Sequence, residues 1–78
     1  MNYKQTYIDY FDYSKDENIL CERCGAVAVD IHHIVYKSQG GKDNIENLIA
    51  LCRDCHNLAH NEKLSKSELQ DIHLKAML

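Results

Sequence analysis

The chain has no proline, no tryptophan and only 3 glycines in 78 residues. It contains no low-complexity tract and no internal repeat, so solenoid architectures are excluded and one small domain remains. The length also excludes a Rossmann domain, a TIM barrel and any two-domain enzyme. No apolar stretch exceeds a few residues, so no transmembrane helix fits. Met1 to Tyr10 sets Lys4 and Asp9 among aromatic residues without an apolar h-region, which does not read as a signal peptide. A cytoplasmic location is expected. A positive excess is missing too: 9 Lys and Arg stand against 12 Asp and Glu, a net charge of −3. Residues 1–30 hold 3 basic and 6 acidic side chains, and residues 31–78 hold 6 of each. Without a basic patch, a strong and self-sufficient grip on nucleic acid is not expected.

What is present is metal-binding chemistry. A core of this size supplies only about 3–5 kcal/mol, so a staple is needed. In a reducing compartment 4 cysteines point to a metal rather than to disulfides. Cys21-x-x-Cys24 and Cys52-x-x-Cys55 form two knuckles with 27 residues between them. Together they suit a closed tetrahedral zinc site of four thiolates. The gap exceeds that of a plain zinc ribbon, so a folded segment must lie between the knuckles. A redox pair would need a βαβ setting, which is absent. Histidines add a second signal. His32 and His33 are adjacent, and His56 and His60 are spaced to share one helical face. His73 lies outside this cluster and reads as a surface residue of the last helix.

The elements follow from periodicity. Tyr3, Tyr7, Tyr10 and Phe11 share a face of an N-terminal helix over about 3–13. That face should cover the core rather than stack on bases, because Asp9, Asp12, Asp16 and Glu17 repel phosphates. Ala26 to Val35 is rich in β-branched residues and reads as one or two strand segments, 39–44 as loop, and Asn47 to Leu51 as a further short strand. A helix should start near Cys52 and run to about Asn61. The last helix, over about 65–78, has a capping box in Ser65 and Glu68, a staple in Leu64 and Leu69, and an apolar stripe of Leu69, Ile72, Ala76 and Met77.

From Leu20 to Asn61 the order of two knuckles, Asp30-Ile31-His32-His33-Ile34, Gly40-Gly41, Asn47 before an apolar strand, and His56 after the last cysteine resembles the HNH endonuclease family, in its small four-cysteine branch. One departure is Tyr36, where the family often has proline. The resemblance implies an α+β, zinc-stabilised ββα-metal core over about 20–61 with flanking N- and C-terminal helices. It implies hydrolysis of DNA phosphodiester bonds to a 5′-phosphate and a 3′-hydroxyl, with one divalent catalytic metal (Mg2+, Mn2+, Ni2+ or Zn2+) beside the structural Zn2+. Carried over by position, His33 is the general base, His32 and His56 are metal ligands, His60 is a candidate third ligand, and Asn47 holds the loop and helps orient His33.

Neighbours in a regular strand face opposite sides, so an irregularity is expected at 32–33. In a regular strand only one of the two histidines would act, and Asp30 would join His32. Lys37, Lys42 and Arg53 are the expected phosphate contacts, and Lys63 an ordinary solvated charge. Two other functions fit the acidic charge: a non-cutting zinc-stabilised module that binds DNA or protein, and an accessory nuclease active only with a protein partner, as in a phage packaging or restriction complex.

Overall fold

A computed structural model of the chain describes residues 2–78; Met1, the first residue of the expected domain span, lies outside the described residues. Helix α1 covers Tyr3–Phe11, β1 Asp30–His33, β2 Leu48–Leu51, α2 Arg53–His60 and α3 Lys66–Met77, with short 3-10 turns at Lys37–Gln39 and Ile45–Asn47. The result is a small α+β domain. Among the described residues no helix is long and apolar enough to cross a membrane.

Each helix has a chemical start. Asn2 Oδ1 accepts from the Lys4 and Gln5 N–H groups at 2.7 and 3.4 Å. Cys52 caps α2, its Sγ accepting from the Cys55 N–H at 3.4 Å. Ser65 and Glu68 form the expected capping box at the start of α3. The α1 helix stops two residues earlier than expected. Asp12 takes the left-handed conformation, φ 58°, and the Asp12 and Tyr13 N–H groups turn back to the carbonyls of Asp9 and Ile8.

β1 and β2 pair antiparallel, with Asp30 opposite Leu51, Ile31 opposite Ala50, His32 opposite Ile49 and His33 opposite Leu48. Pairing is unbroken through both histidines, so there is no bulge at 32–33, but β1 ends at His33. The stretch 26–35 takes the two-segment form of the one or two strand segments expected there. Val27 bridges Leu20 to close the first knuckle, and only 30–33 joins the sheet.

The sheet has two apolar faces. Ile31, Leu48 and Ala50 pack with Tyr7 from α1. Ile34, Ile49 and Leu51 pack with Cys21, Cys52, Cys55, Ala59, Leu64 and Leu69. β2 is therefore buried on both sides, as its continuous Leu-Ile-Ala-Leu run suggests. Each fully buried aliphatic side chain contributes about 1.5–3 kcal/mol before entropy is subtracted. The staple residues Leu64 and Leu69 are both buried, but Ala76 of the expected stripe is exposed, and the central inward position of α3 belongs to His73.

Candidate metal centre and histidine cluster

The two knuckles meet. The donor atoms of Cys21, Cys24, Cys52 and Cys55 all lie within 4.8 Å of one another, with Cys24 and Cys52 Sγ 3.5 Å apart. Cys21, Cys52 and Cys55 are buried and Cys24 is exposed. The tight turn that brings the first pair together needs Gly25 at φ 82°. Burial opposes the Cys21 thiolate, yet the N–H groups of Cys52, Cys24 and Arg23 outweigh it and bring the thiol down to about 7. Burial and its sulfur neighbours push Cys55 up to about 12. Four sulfurs this close cannot all be thiolates without a cation among them, so the donor set fits a tetrahedral Zn2+. Arg23 adds a positive group, its Nη1 donating to Cys55 Sγ at 3.5 Å.

Strand alternation divides the histidine pair. His32 shares a face with Asp30 and turns toward α2. Its ring lies 5.3 Å from His56 at 74°, and His56 Nε2 lies 3.5 Å from Asp30 Oδ2. His60 follows one turn on, its ring 6.3 Å from that of His56. His32 is buried, and desolvation, with His56 beside it, lowers its pKa; it is therefore a neutral imidazole, the form that binds a metal. Among the described residues, the three histidines are neighbours but their donor atoms do not converge as the cysteines do. An opening of about 280 Å³ reaches His32 between Tyr36, Gln39 and Lys66, and His56, His60 and Asp30 do not line it.

His33 points to the α1 side. Its Nε2 lies 2.7 Å from Asp43 Oδ1, and the Tyr3 ring stands 4.6 Å from it. Asp43 also accepts from Lys37 Nζ at 3.1 Å. These two partners, His33 first, hold the Asp43 carboxyl below its ordinary range. Asn47 does not bond to His33. Its Oδ1 accepts from the Val35 N–H at 2.7 Å, and its Nδ2 donates to the carbonyls of Val35 and Lys42 at 3.0 and 2.9 Å. It therefore clamps the loop that carries Asp43. Gly41 closes the same loop so tightly that a Cβ there would collide with the Val35 carbonyl.

His73 corrects the sequence reading: it is 1% exposed rather than on the surface. Nδ1 lies 2.8 Å from Glu22 Oε1 and Nε2 lies 2.6 Å from the Ile45 carbonyl. Both partners accept only, so both ring nitrogens carry protons and the ring is an imidazolium. Burial works against that charge, but the Glu22 bond and charge overcome it and raise the pKa. Glu22 Oε2 also accepts from the Tyr7 hydroxyl at 2.6 Å. Asp43, Glu22, Arg23 and Tyr3 escaped the sequence reading. Their histidine or cysteine partners lie 10 or more residues away along the chain, and although helical period marks Tyr3 as core-facing, it does not reveal the His33 ring as its neighbour.

The two strands and α2, pinned by convergent thiols and bearing imidazoles on β1 and α2, define a zinc-binding ββα domain of nuclease type. The HNH endonuclease family model matches residues 21–62, more than half of the chain, and the chain belongs to that family. It is also 31% identical to the type IV methyl-directed restriction enzyme EcoKMcrA of Escherichia coli (strain K12), over 70% of this chain and 24% of that protein. The chain thus spans about a quarter of the length of this relative.

Proposed function

We propose that this domain hydrolyses DNA phosphodiester bonds. His33 serves as general base, and His32 and His56 hold one divalent cation, with Asp30 and His60 as the candidate further ligands. The observation that supports this most is the chemical division at the end of β1. A neutral His32 faces His56 and Asp30, while the next residue, His33, is bonded to a carboxylate. His33 is close enough that its charge also depresses the His32 pKa, after burial and His56. The scissile phosphate would then sit across the edge of the sheet, between the ligand side and the base side.

A divalent cation held by His32 and His56 would offset the negative charge of the reacting phosphate, and imidazole with carboxylate donors suits Mg2+, Mn2+, Ni2+ or Zn2+. His33 takes a proton from water as the water oxygen bonds to phosphorus and the P–O3′ bond breaks, and the departing O3′ takes its proton from solvent water. The products are a 5′-phosphate and a 3′-hydroxyl. A positioned base of this kind contributes about 10²–10⁴-fold. Asn47 keeps the loop fixed behind the base.

Plasmid DNA incubated with zinc-loaded protein and each of these metals tests the reading. His33→Ala should abolish cleavage and leave metal binding intact. His56→Ala should weaken both, and His60→Ala should cause a partial loss. Cleavage by His33→Ala at the wild-type rate would remove His33 from the mechanism.

The net charge of −3 and the match to only 24% of a longer relative favour a second form of this reading, in which DNA is delivered by another domain or a protein partner. Lys37, already engaged by Asp43, and exposed Lys42 and Arg53 are the local phosphate contacts in this reading. Changing all three to Ala should weaken binding across sequences alike and flatten its salt dependence.

A further inference from the structure

We propose that Asp43 is a positioning residue that fixes His33 as the Nε2–H tautomer, so that the lone pair available to water is on Nδ1. The proposal rests on His33 being the base, and names the group and the ring nitrogen that the role requires.

An ionised carboxylate only accepts hydrogen bonds. With Asp43 Oδ1 2.7 Å from His33 Nε2, that nitrogen must bear the proton. A neutral imidazole then has its lone pair on Nδ1. The carboxylate is held at both ends, because its Oδ2 accepts from Lys37 Nζ at 3.1 Å. The backbone behind it is fixed as well. Asn47 Nδ2 binds the carbonyl of Lys42, the residue before Asp43, and Gly41 packs against Val35. Tyr3 stands against the His33 ring at 59° and limits its rotation. Asn47 thus reaches His33 through the loop and Asp43.

Asp43 and Lys37 are 40% and 63% exposed, and an ion pair between such groups contributes little to stability. His33, however, is only 15% exposed, so its ring has few partners to choose from. When His33 takes the proton from water at Nδ1, Nε2–H continues to donate to Asp43. The carboxylate stays ionised and faces the new positive charge. No proton passes to Asp43.

The tautomer is readable without any catalysis. Long-range ¹H–¹⁵N spectra of His33 in the zinc-loaded wild type, at a pH where the ring is neutral, should show Nε2 protonated and Nδ1 bare. In Asp43→Ala the ring should become a mixture of tautomers. In cleavage assays Asp43→Ala should lower kcat about 10- to 100-fold, as loss of such orienting partners does. KM for DNA should change less than about twofold, because no phosphate contact is lost. Asp43→Glu should restore part of kcat and the wild-type tautomer, and Lys37→Ala should give a smaller loss than Asp43→Ala. An unchanged cobalt–thiolate spectrum in each variant reports an intact fold. A wild-type ring protonated on Nδ1 would overturn the proposal, whether or not Asp43→Ala folds. So would an Asp43→Ala variant with the wild-type tautomer and kcat. If instead His33→Ala still cuts DNA, the assignment of the base fails, and the spectra alone decide whether Asp43 sets the tautomer.

Discussion

Two polar clusters fasten the helices and knuckles of this chain to its sheet, and they share one segment. Cys21 and Cys24 enter the thiol cluster, while Glu22, between them, enters the cluster with Tyr7 and His73. The thiol cluster holds four potential negative charges against the single guanidinium of Arg23 at its edge and needs an ion from outside. The second cluster has its own cation in His73. The first ties the knuckles and the start of α2 together; the second ties α1 and α3 to the first knuckle. The domain therefore has one fastening governed by metal supply and another governed by protonation of a single ring.

The largest expected effect separates the first fastening from everything else. Zinc binding to such thiolate sites is worth about 10–16 kcal/mol in apparent terms, against the few kcal/mol of a core this size. Chelation of zinc, or Cys52→Ser, should therefore abolish the cooperative unfolding transition seen by circular dichroism. Cobalt substituted for zinc should give an all-thiolate tetrahedral spectrum. A stable fold after metal removal, or a mixed Cys/His spectrum, would break the comparison at its root.

The second effect isolates the other fastening. His73→Ala leaves the Glu22 carboxylate buried, 5% exposed, without its cation. Loss of one partner of a buried pair costs about 3–5 kcal/mol. With zinc bound, the variant should still fold, with a lower urea midpoint and the wild-type cobalt spectrum. A loss below about 1 kcal/mol would reduce the pair to the rank of a surface contact. Tyr7→Phe should cost less, about 1.5–3 kcal/mol, since it removes one hydrogen bond to a charged group and leaves the ring packed among Ile31, Leu48 and Ala50.

The same comparison explains what was legible in the sequence. The four cysteines announce themselves because a metal site at a turn has a fixed local spacing, and the family motif around His32, His33, Asn47 and His56 is similarly ordered along the chain. The capping box of α3 is local for the same reason. Glu22 and His73 lie 51 residues apart, and His33 and Asp43 sit 10 apart across a loop. Such pairs are set by tertiary packing, and neither helical nor strand periodicity marks them. His73 was misread because a charged ring on an inward position looks like a break in an apolar stripe. The pairing of His32 with Ile49 and His33 with Leu48 was also beyond local reading. It assigns the two histidines to opposite faces, which adjacent letters in a sequence do not reveal.

The smallest expected effect sharpens the contrast by pH. His73 has a folded pKa above its ordinary value, because the Glu22 bond and charge, with Glu46 adding to them, overcome the burial that acts the other way. The native state therefore binds more protons than the unfolded chain between the unfolded pKa, about 6.5, and the raised folded value. Stability falls wherever the native state binds more protons as pH rises. The contribution of the pair is fully present below about pH 6.5 and is lost as pH climbs through the folded pKa of His73. The thiol cluster has the opposite sign, since acid protonates the sulfurs and releases zinc. Urea midpoints of zinc-loaded wild type and His73→Gln, measured from about pH 6 to about pH 9, isolate the ring from the sulfurs because both proteins keep the cysteines. The advantage of the wild type should be largest at the acid end and narrow toward alkaline pH, while the acid fall that the sulfurs impose should run parallel in the two proteins. A gap that stays constant across this range would mean that His73 does not titrate within it.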